Sequence, residues 1–244
     1  MIIELAIAIG GVAWLLKSSE THTKRPNKPQ TPTYPDMKIQ NMNFPKIDNA
    51  KIKLANMAQA RGIKYLVHFT RKENLESIKT RGLRSRQELE STLLPFHYND
   101  NWRGDGFRNA VSLSVTSPNY KMFYNLRQNN KSAEWALILL DACQVLQNCD
   151  CAFQSTNAAS NIMREIPIAE RKNLAAFDGM FYDNDLRKVR GLKDNEPTDP
   201  QAEILCFDAI PPKFFKNIVF AGEFFAPRHD WRYWKKPSND WEVC

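Results

Sequence analysis

An α+β fold built on antiparallel strands is what this 244-residue sequence predicts, on three observations. Short runs rich in branched and aromatic residues recur between Ile63 and Ala221, as half-buried strands do. Too few long helical periods separate them for a regular parallel series of alternating strands and helices. Neither a Walker A motif nor a Rossmann glycine fingerprint is present among only nine glycines, so any phosphate must be held in another way.

Residues Ile2 to Leu16 form an apolar run broken only by Glu4, shorter than the roughly 20 residues that comfortably span a bilayer. Residues 1–17 therefore read as a possible membrane anchor, with an amphipathic start segment as the other reading. No positive charge precedes the run and no small-residue cleavage site follows, which disfavours a signal peptide. Lys17, Lys24, Arg25 and Lys28 follow it, so an anchor at residues 2–16 would leave the rest of the chain in the cytoplasm at the inner membrane. Residues 18–50 are polar, with Pro26, Pro29, Pro32 and Pro35 at every third position, and read as a stiff extended linker. A P-x-x-P series also suits an SH3-type ligand, but no other signalling feature accompanies it. Residues 51–244 are left as the folded domain.

Within that domain the first strand is expected over Ile63–Phe69. Thr70 and Glu73 stand at capping-box spacing and open a helix over Glu73–Arg81, in which Leu75, Ile78 and Lys79 share helical spacing and Gly82 supplies the C-terminal cap. Further strands are expected at Ala110–Val115, Trp135–Leu140, Gly179–Tyr182, Ala202–Phe207 and Asn217–Ala221. A second helix is expected at Asn119–Leu126, behind Pro118.

The formal net charge of +7 permits a polyanionic partner without requiring one. Five cysteines, Cys143, Cys149, Cys151, Cys206 and Cys244, are an odd number, and only Cys149 and Cys151 lie close together. With no second Cys or His pair at zinc spacing, no metal is expected. Cys143 and Cys206 sit in apolar runs as small core residues, which suits a reducing compartment.

Three separated segments carry chemistry together: His68-Phe69-Thr70, Ser112-Leu113-Ser114 and Gln201-Ala202-Glu203. Each begins or belongs to an expected strand. Alternation puts Gln201, Glu203 and Leu205 on one side and Ala202, Ile204 and Cys206 on the other. Glu203, between Ala202 and Ile204, is either a solvated strand-edge ion or a functional acid.

In their order and spacing these segments resemble the ADP-ribosyltransferase superfamily. More closely, YLVHFTRKENLESIKTRGL, SLSVTSPNYKMFY, FQSTNAAS and DPQAEILCFDAIPPKFFKNIVF are similar to the DarT family of DNA ADP-ribosyltransferase toxins, over about residues 60 to 222. The resemblance implies a split, mostly antiparallel central sheet flanked by short helices. It also implies transfer of ADP-ribose from NAD, a co-substrate, to a base of single-stranded DNA, with release of nicotinamide. A toxin with a macrodomain antitoxin that removes the ADP-ribose is implied as well. On this reading Glu203 faces the positive charge that develops as the nicotinamide–ribose bond breaks. His68, Phe69 and Thr70 hold the NAD ribose and amide, with Ser112 and Gln201 beside them and Ser77 and Ser85 as further cofactor contacts.

A base nitrogen needs its proton removed before it attacks. The better-known branch of the family has an Arg in the segment aligned with Val115-Thr116-Ser117, where this chain has Thr116, and a hydroxyl does not replace a guanidinium. Lys121, as a helper in proton removal, and Arg127, as a phosphate contact, are the nearest cations in sequence. Thymine and guanine both stay open as the acceptor. Thr156 and Asn157 of FQSTNAAS have side chains suited to a base edge, or to a plain turn. From Arg228, Trp231, Tyr233, Trp234 and Trp241 interleave with Arg232, Lys235 and Lys236; the strip suits a single strand of DNA, packing on the domain, or a membrane surface. Two alternatives remain: the same cleft acting on RNA or protein, and a degenerate NAD-fold module that binds nucleic acid without catalysis.

Overall fold

Trp135 to Leu140 are buried without interruption, so both faces of that strand must be covered, and the architecture follows from it. The computed structural model describes residues 48–92, 95–98 and 104–220. In chain order the elements are α1 (Asn49–Ala60), β1 (Tyr65–Arg71), α2 (Leu75–Arg81), α3 (Arg86–Glu90), β2 (Val111–Val115), α4 (Tyr120–Asn129), β3 (Trp135–Asp141), α5 (Ala142–Asn148), β4 (Cys151–Gln154), α6 (Asn161–Glu165), α7 (Leu174–Asp178), α8 (Asn184–Arg190), β5 (Glu203–Cys206) and β6 (Phe215–Phe220). The six strands form one sheet in the order β4-β5-β2-β1-β3-β6, every neighbouring pair antiparallel.

One face of the sheet, with Leu66, Leu113, Ile138 and Ile204, packs on Leu54 and Ala58 of α1, Val145 and Leu146 of α5, and Phe177 of α7. The opposite face gathers Val67, Leu137, Leu139 and Val219 around Phe123 of α4 and Trp135. Phe123 meets Trp135 edge-on, with ring centroids 5.5 Å apart. Polar caps set several helix starts: Asp48 accepts from Ala50 N at 3.0 Å to open α1, and Asp141 accepts from Gln144 N at 3.0 Å to open α5.

The sheet splits in the middle. β1 pairs with β3 along its whole length, from Tyr65 to Arg71. With β2 it pairs only through Leu66–Val115 and Val67–Ser114, after which β2 continues with β5 alone. His68 to Arg71 on one arm and Leu113 back to Val111 on the other therefore diverge from an apex at Val67 and Ser114. A strand pair that opens leaves backbone groups and side chains facing into a fork.

Five expectations need correction or extension. Gly179–Phe181 is a 3-10 turn, not a strand; Met180 and Phe181 are buried, and a short apolar run looks alike in either conformation. Thr70 does not cap a helix: the strand runs on to Arg71 and a 3-10 turn, Lys72–Asn74, precedes α2 without a side-chain cap. α1 begins at Asn49, inside the segment read as linker, behind the Asp48 cap. β4, which takes in Phe153 and Gln154 of FQSTNAAS, was not anticipated. Neither were α5 to α8, which have seven residues or fewer each, too few for a clear period. Among the described residues no helix is long and apolar enough to cross a membrane. The anchor at residues 2–16, the proline-rich linker apart from its last residues, and the strip from Arg228 lie outside the described residues.

Candidate active site

The fork between β1 and β2 is the mouth of a cleft lined by His68, Phe69 and Thr70 from one arm, Ser112 and Ser114 from the other, and Glu203 from β5. His68 bridges the gap: its Nδ1 lies 3.0 Å from the carbonyl oxygen of Ser112. A carbonyl can only accept, so Nδ1 donates, and in the neutral ring this contact selects the Nδ1-protonated tautomer. Ser112 thus contributes its backbone to the site as well as its side chain's position.

Glu203 pairs across the sheet with Ser114 on β2 and with Gln154 on β4. Its Oε1 accepts from the backbone N–H of Ala158 at 2.7 Å. A charge-assisted bond of this kind fixes the carboxylate in place. The donor belongs to the turn after β4, which is itself held on three sides. Asn157 Oδ1 accepts from Ala159 N at 2.8 Å, Ser160 caps α6, and the Thr156 hydroxyl donates to Asp199 Oδ2 at 2.7 Å. The other Asp199 oxygen takes the N–H of Gln201 at 2.8 Å, so one carboxylate ties the turn to the residues entering β5.

The sequence-derived residues separate into two groups. His68, Phe69, Thr70, Ser77, Ser112, Asn157 and Glu203 all line the one cleft. Ser85, Gln201, Thr156, Lys121 and Arg127 are not among its lining residues. Thr70 Oγ1 accepts from Asn74 Nδ2 at 3.0 Å. Ser85, expected at the cofactor, is buried and opens α3 instead: its Oγ accepts from Glu88 N at 3.2 Å while Glu88 Oε2 accepts from Ser85 N at 3.0 Å. Ser85→Ala is expected to cost about 1 kcal/mol of stability; thermal unfolding checks it. Thr156 is engaged by Asp199, and Lys121 and Arg127 lie on α4, where the Arg127 guanidinium sits over the Phe123 ring at 5.5 Å. Burial draws Arg127 below the usual arginine range.

Thr116 has a left-handed backbone, φ 62°, rare for a branched residue. Its hydroxyl donates to the Asn195 carbonyl at 2.6 Å and the residue is buried. Thr116 therefore secures the segment ahead of Asp199 and does not line the cleft.

Cations reach the cleft from elsewhere. Arg81, Arg84 and Arg86 line it, beside Phe96 and Tyr98, and Arg86 stacks over the Tyr98 ring at 4.2 Å. Asn74 staples this aromatic wall by both edges of its amide, accepting from His97 N at 2.8 Å and donating to His97 O at 2.7 Å. The basic run from Lys79 to Arg86, following the His68 strand so closely, was the available signal for these arginines. Among the described residues no cysteine lines the cleft, and the Cys149 thiol is pushed up by its hydrogen bond with Cys206 and by burial.

The chain matches the family model described as ssDNA thymidine ADP-ribosyltransferase, DarT, over residues 67–226. Among solved structures it is similar to Thermosipho africanus DarTG in complex with ADP-ribose, at 17% identity and a TM-score of 0.42, covering 64% of this chain and 43% of that one. It therefore spans less than half the length of that relative. A second likeness is to EcPltA, at 14% identity and a TM-score of 0.31, covering 65% of this chain and 76% of that one. No curated protein matches it. The matched segment takes in most of β1, with His68, and all of β2, β5 and β6, and runs through more than half of the chain: it belongs to the DarT family of single-stranded-DNA thymidine ADP-ribosyltransferases.

Proposed function

We propose that the chain transfers ADP-ribose from NAD to thymidine in single-stranded DNA, with the fork between β1 and β2 as the NAD site. The observation that carries this reading is the meeting of His68, held by the Ser112 carbonyl, and Glu203, held by the Ala158 N–H, in one cleft. His68 and the Phe69 backbone hold the NAD ribose and amide, and the arginines at the rim offset the pyrophosphate charge. Breaking the bond between ribose C1′ and nicotinamide returns the electron pair to the pyridine nitrogen, so nicotinamide leaves neutral and positive charge builds on the ribose. A fixed carboxylate facing that charge contributes about 3–4 kcal/mol.

In DNA thymine keeps one ring N–H, at N3, because N1 bears the deoxyribose. The C1′–N3 bond forms as the nicotinamide bond breaks, and the N3 proton passes to the Glu203 carboxylate, whose charge partner disappears once the new bond is made. The proposal extends to a toxin reversed by an antitoxin that removes the ADP-ribose, acting in the cytoplasm where replicating single strands are exposed.

One observation favours a variant reading. Because Thr116 faces Asn195 and takes no place in the cleft, the acceptor preference is open to change, with guanine as the second candidate. Incubating the full chain with NAD and single strands in which the reactive base is only thymine or only guanine separates the two by mass spectrometry. Modification confined to the thymine strands is expected. Modification confined to guanine strands supports the variant, and modification of RNA or protein but of neither DNA overturns both.

A further inference from the structure

Across the β4–β5 ladder from Glu203 lies a buried polar pair, whose guanidinium also sits over the Phe107 ring at 5.2 Å. Gln154 is 0% exposed and Arg171, from the 3-10 turn Ile168–Arg171, is 4% exposed. Arg171 Nη1 donates to Gln154 Oε1 at 2.7 Å. Burying a guanidinium costs several kcal/mol, and among the described residues no carboxylate makes a hydrogen-bonded ion pair with it, although the charge of Asp105 acts on it. Apolar side chains of similar volume would fill the space without that penalty.

The pair has one consequence that apolar residues would not supply. Arginine has donors only, so the amide of Gln154 is obliged to turn its oxygen toward Arg171 and its NH₂ away. That nitrogen, Nε2, is buried and has no partner among the described residues. Gln154 is also the direct cross-strand partner of Glu203. Opposed residues of an antiparallel pair share a face, with Cβ atoms about 5 Å apart. A buried, oriented and unused donor thus belongs to the residue directly opposite Glu203 across the β4–β5 ladder.

We propose that Arg171 and Gln154 are positioning residues for Glu203. Arg171 orients the Gln154 amide, and the amide donates to the Glu203 carboxylate when ribose engages it, holding it ionised and aimed at C1′. This inference rests on the reading of Glu203 as the catalytic carboxylate, and its test separates the two.

Gln154→Glu in the full chain keeps the size of the side chain and its bond to Arg171, and replaces the idle donor by an oxygen that repels Glu203. The expected result is a fall in kcat for nicotinamide release of about 100-fold, with KM for NAD within about threefold of wild type and an undiminished Tm. Arg171→Met, which frees the amide to flip, is expected to lose kcat similarly, and Arg171→Lys, still a pure donor, to recover most of it. Wild-type kcat in Gln154→Glu, or Arg171→Lys no better than Arg171→Met, overturns the proposal. A Gln154→Glu loss of kcat that is matched by a fall in Tm overturns it too. Side-chain amide NMR gives a readout independent of turnover: NAD is expected to shift one Gln154 NH₂ proton downfield in wild type and not in Glu203→Ala, and an unmoved resonance in wild type counts against the relay. Wild-type turnover in Glu203→Gln would instead remove the reading of Glu203 itself.

Discussion

Replacing Glu203 by Gln is expected to lower the rate of ADP-ribose transfer about 100- to 1,000-fold, because the variant loses the only charge proposed to face the ribose as nicotinamide departs. The amide is isosteric, and its oxygen still accepts the Ala158 N–H that the carboxylate accepts at 2.7 Å, so neither the turn after β4 nor the sheet should move. Tm and the Kd for NAD are therefore expected to stay near wild-type values while kcat collapses. That separation distinguishes loss of transition-state stabilisation from loss of binding. An equal rise in Kd would mean that Glu203 serves to bind NAD, and unchanged kcat would remove it from the chemistry.

The second large effect is structural and lies at the edge of the same cleft. Gly82 ends α2 with φ 81° and ψ 179°, a backbone region that is essentially closed to residues with a Cβ. A Cβ built there would run into the carbonyl oxygen of Ile210. That carbonyl accepts from Leu83 N at 2.9 Å, and Ile210 N donates back to Leu83 O at 2.9 Å. Gly82→Ala must therefore strain the backbone and break this bridge together. A loss of about 3 kcal/mol is expected, seen as a fall in Tm of roughly 6–12 °C. Because Gly82, Leu83 and Arg84 line the cleft, KM for NAD should rise in the same variant. A Tm within error of wild type would show that the α2 end is free to relax.

β3 was legible because Trp135 to Leu140 is one unbroken apolar run, and β1, β2, β5 and β6 because branched and aromatic residues alternate or cluster there. Local chemistry misled at Thr70 and Glu73, whose spacing fits a capping box equally well in a strand that continues one residue further. The true box, Ser85 with Glu88, has the same spacing, and only the tertiary position of α3 tells them apart. Gly82 was legible as a cap, but the reason no other residue fits is Ile210, which is distant in sequence.

For the candidate site, residue type at expected strands singled out His68, Ser112 and Glu203, which line one cleft. Their meeting was not legible, since it depends on where the β1–β2 ladder opens, a property of register that periodicity does not carry. Thr156 and Asn157 were read as base contacts from their chemistry alone. Asp199, which engages Thr156, lies 43 residues away. Arg171 and Gln154 gave no signal, because a buried charge is unreadable until its burial is known.

Coupling of NAD cleavage to modification of thymidine in a single strand is the activity proposed for this cleft. It is tested most directly by mixing the full chain with NAD and a single-stranded oligonucleotide containing one thymidine, and following nicotinamide and the mass of the oligonucleotide together. One nicotinamide released for each ADP-ribosyl group gained at that thymidine is the predicted result. Nicotinamide release with an unmodified oligonucleotide, or no release by the folded wild-type protein, would contradict it.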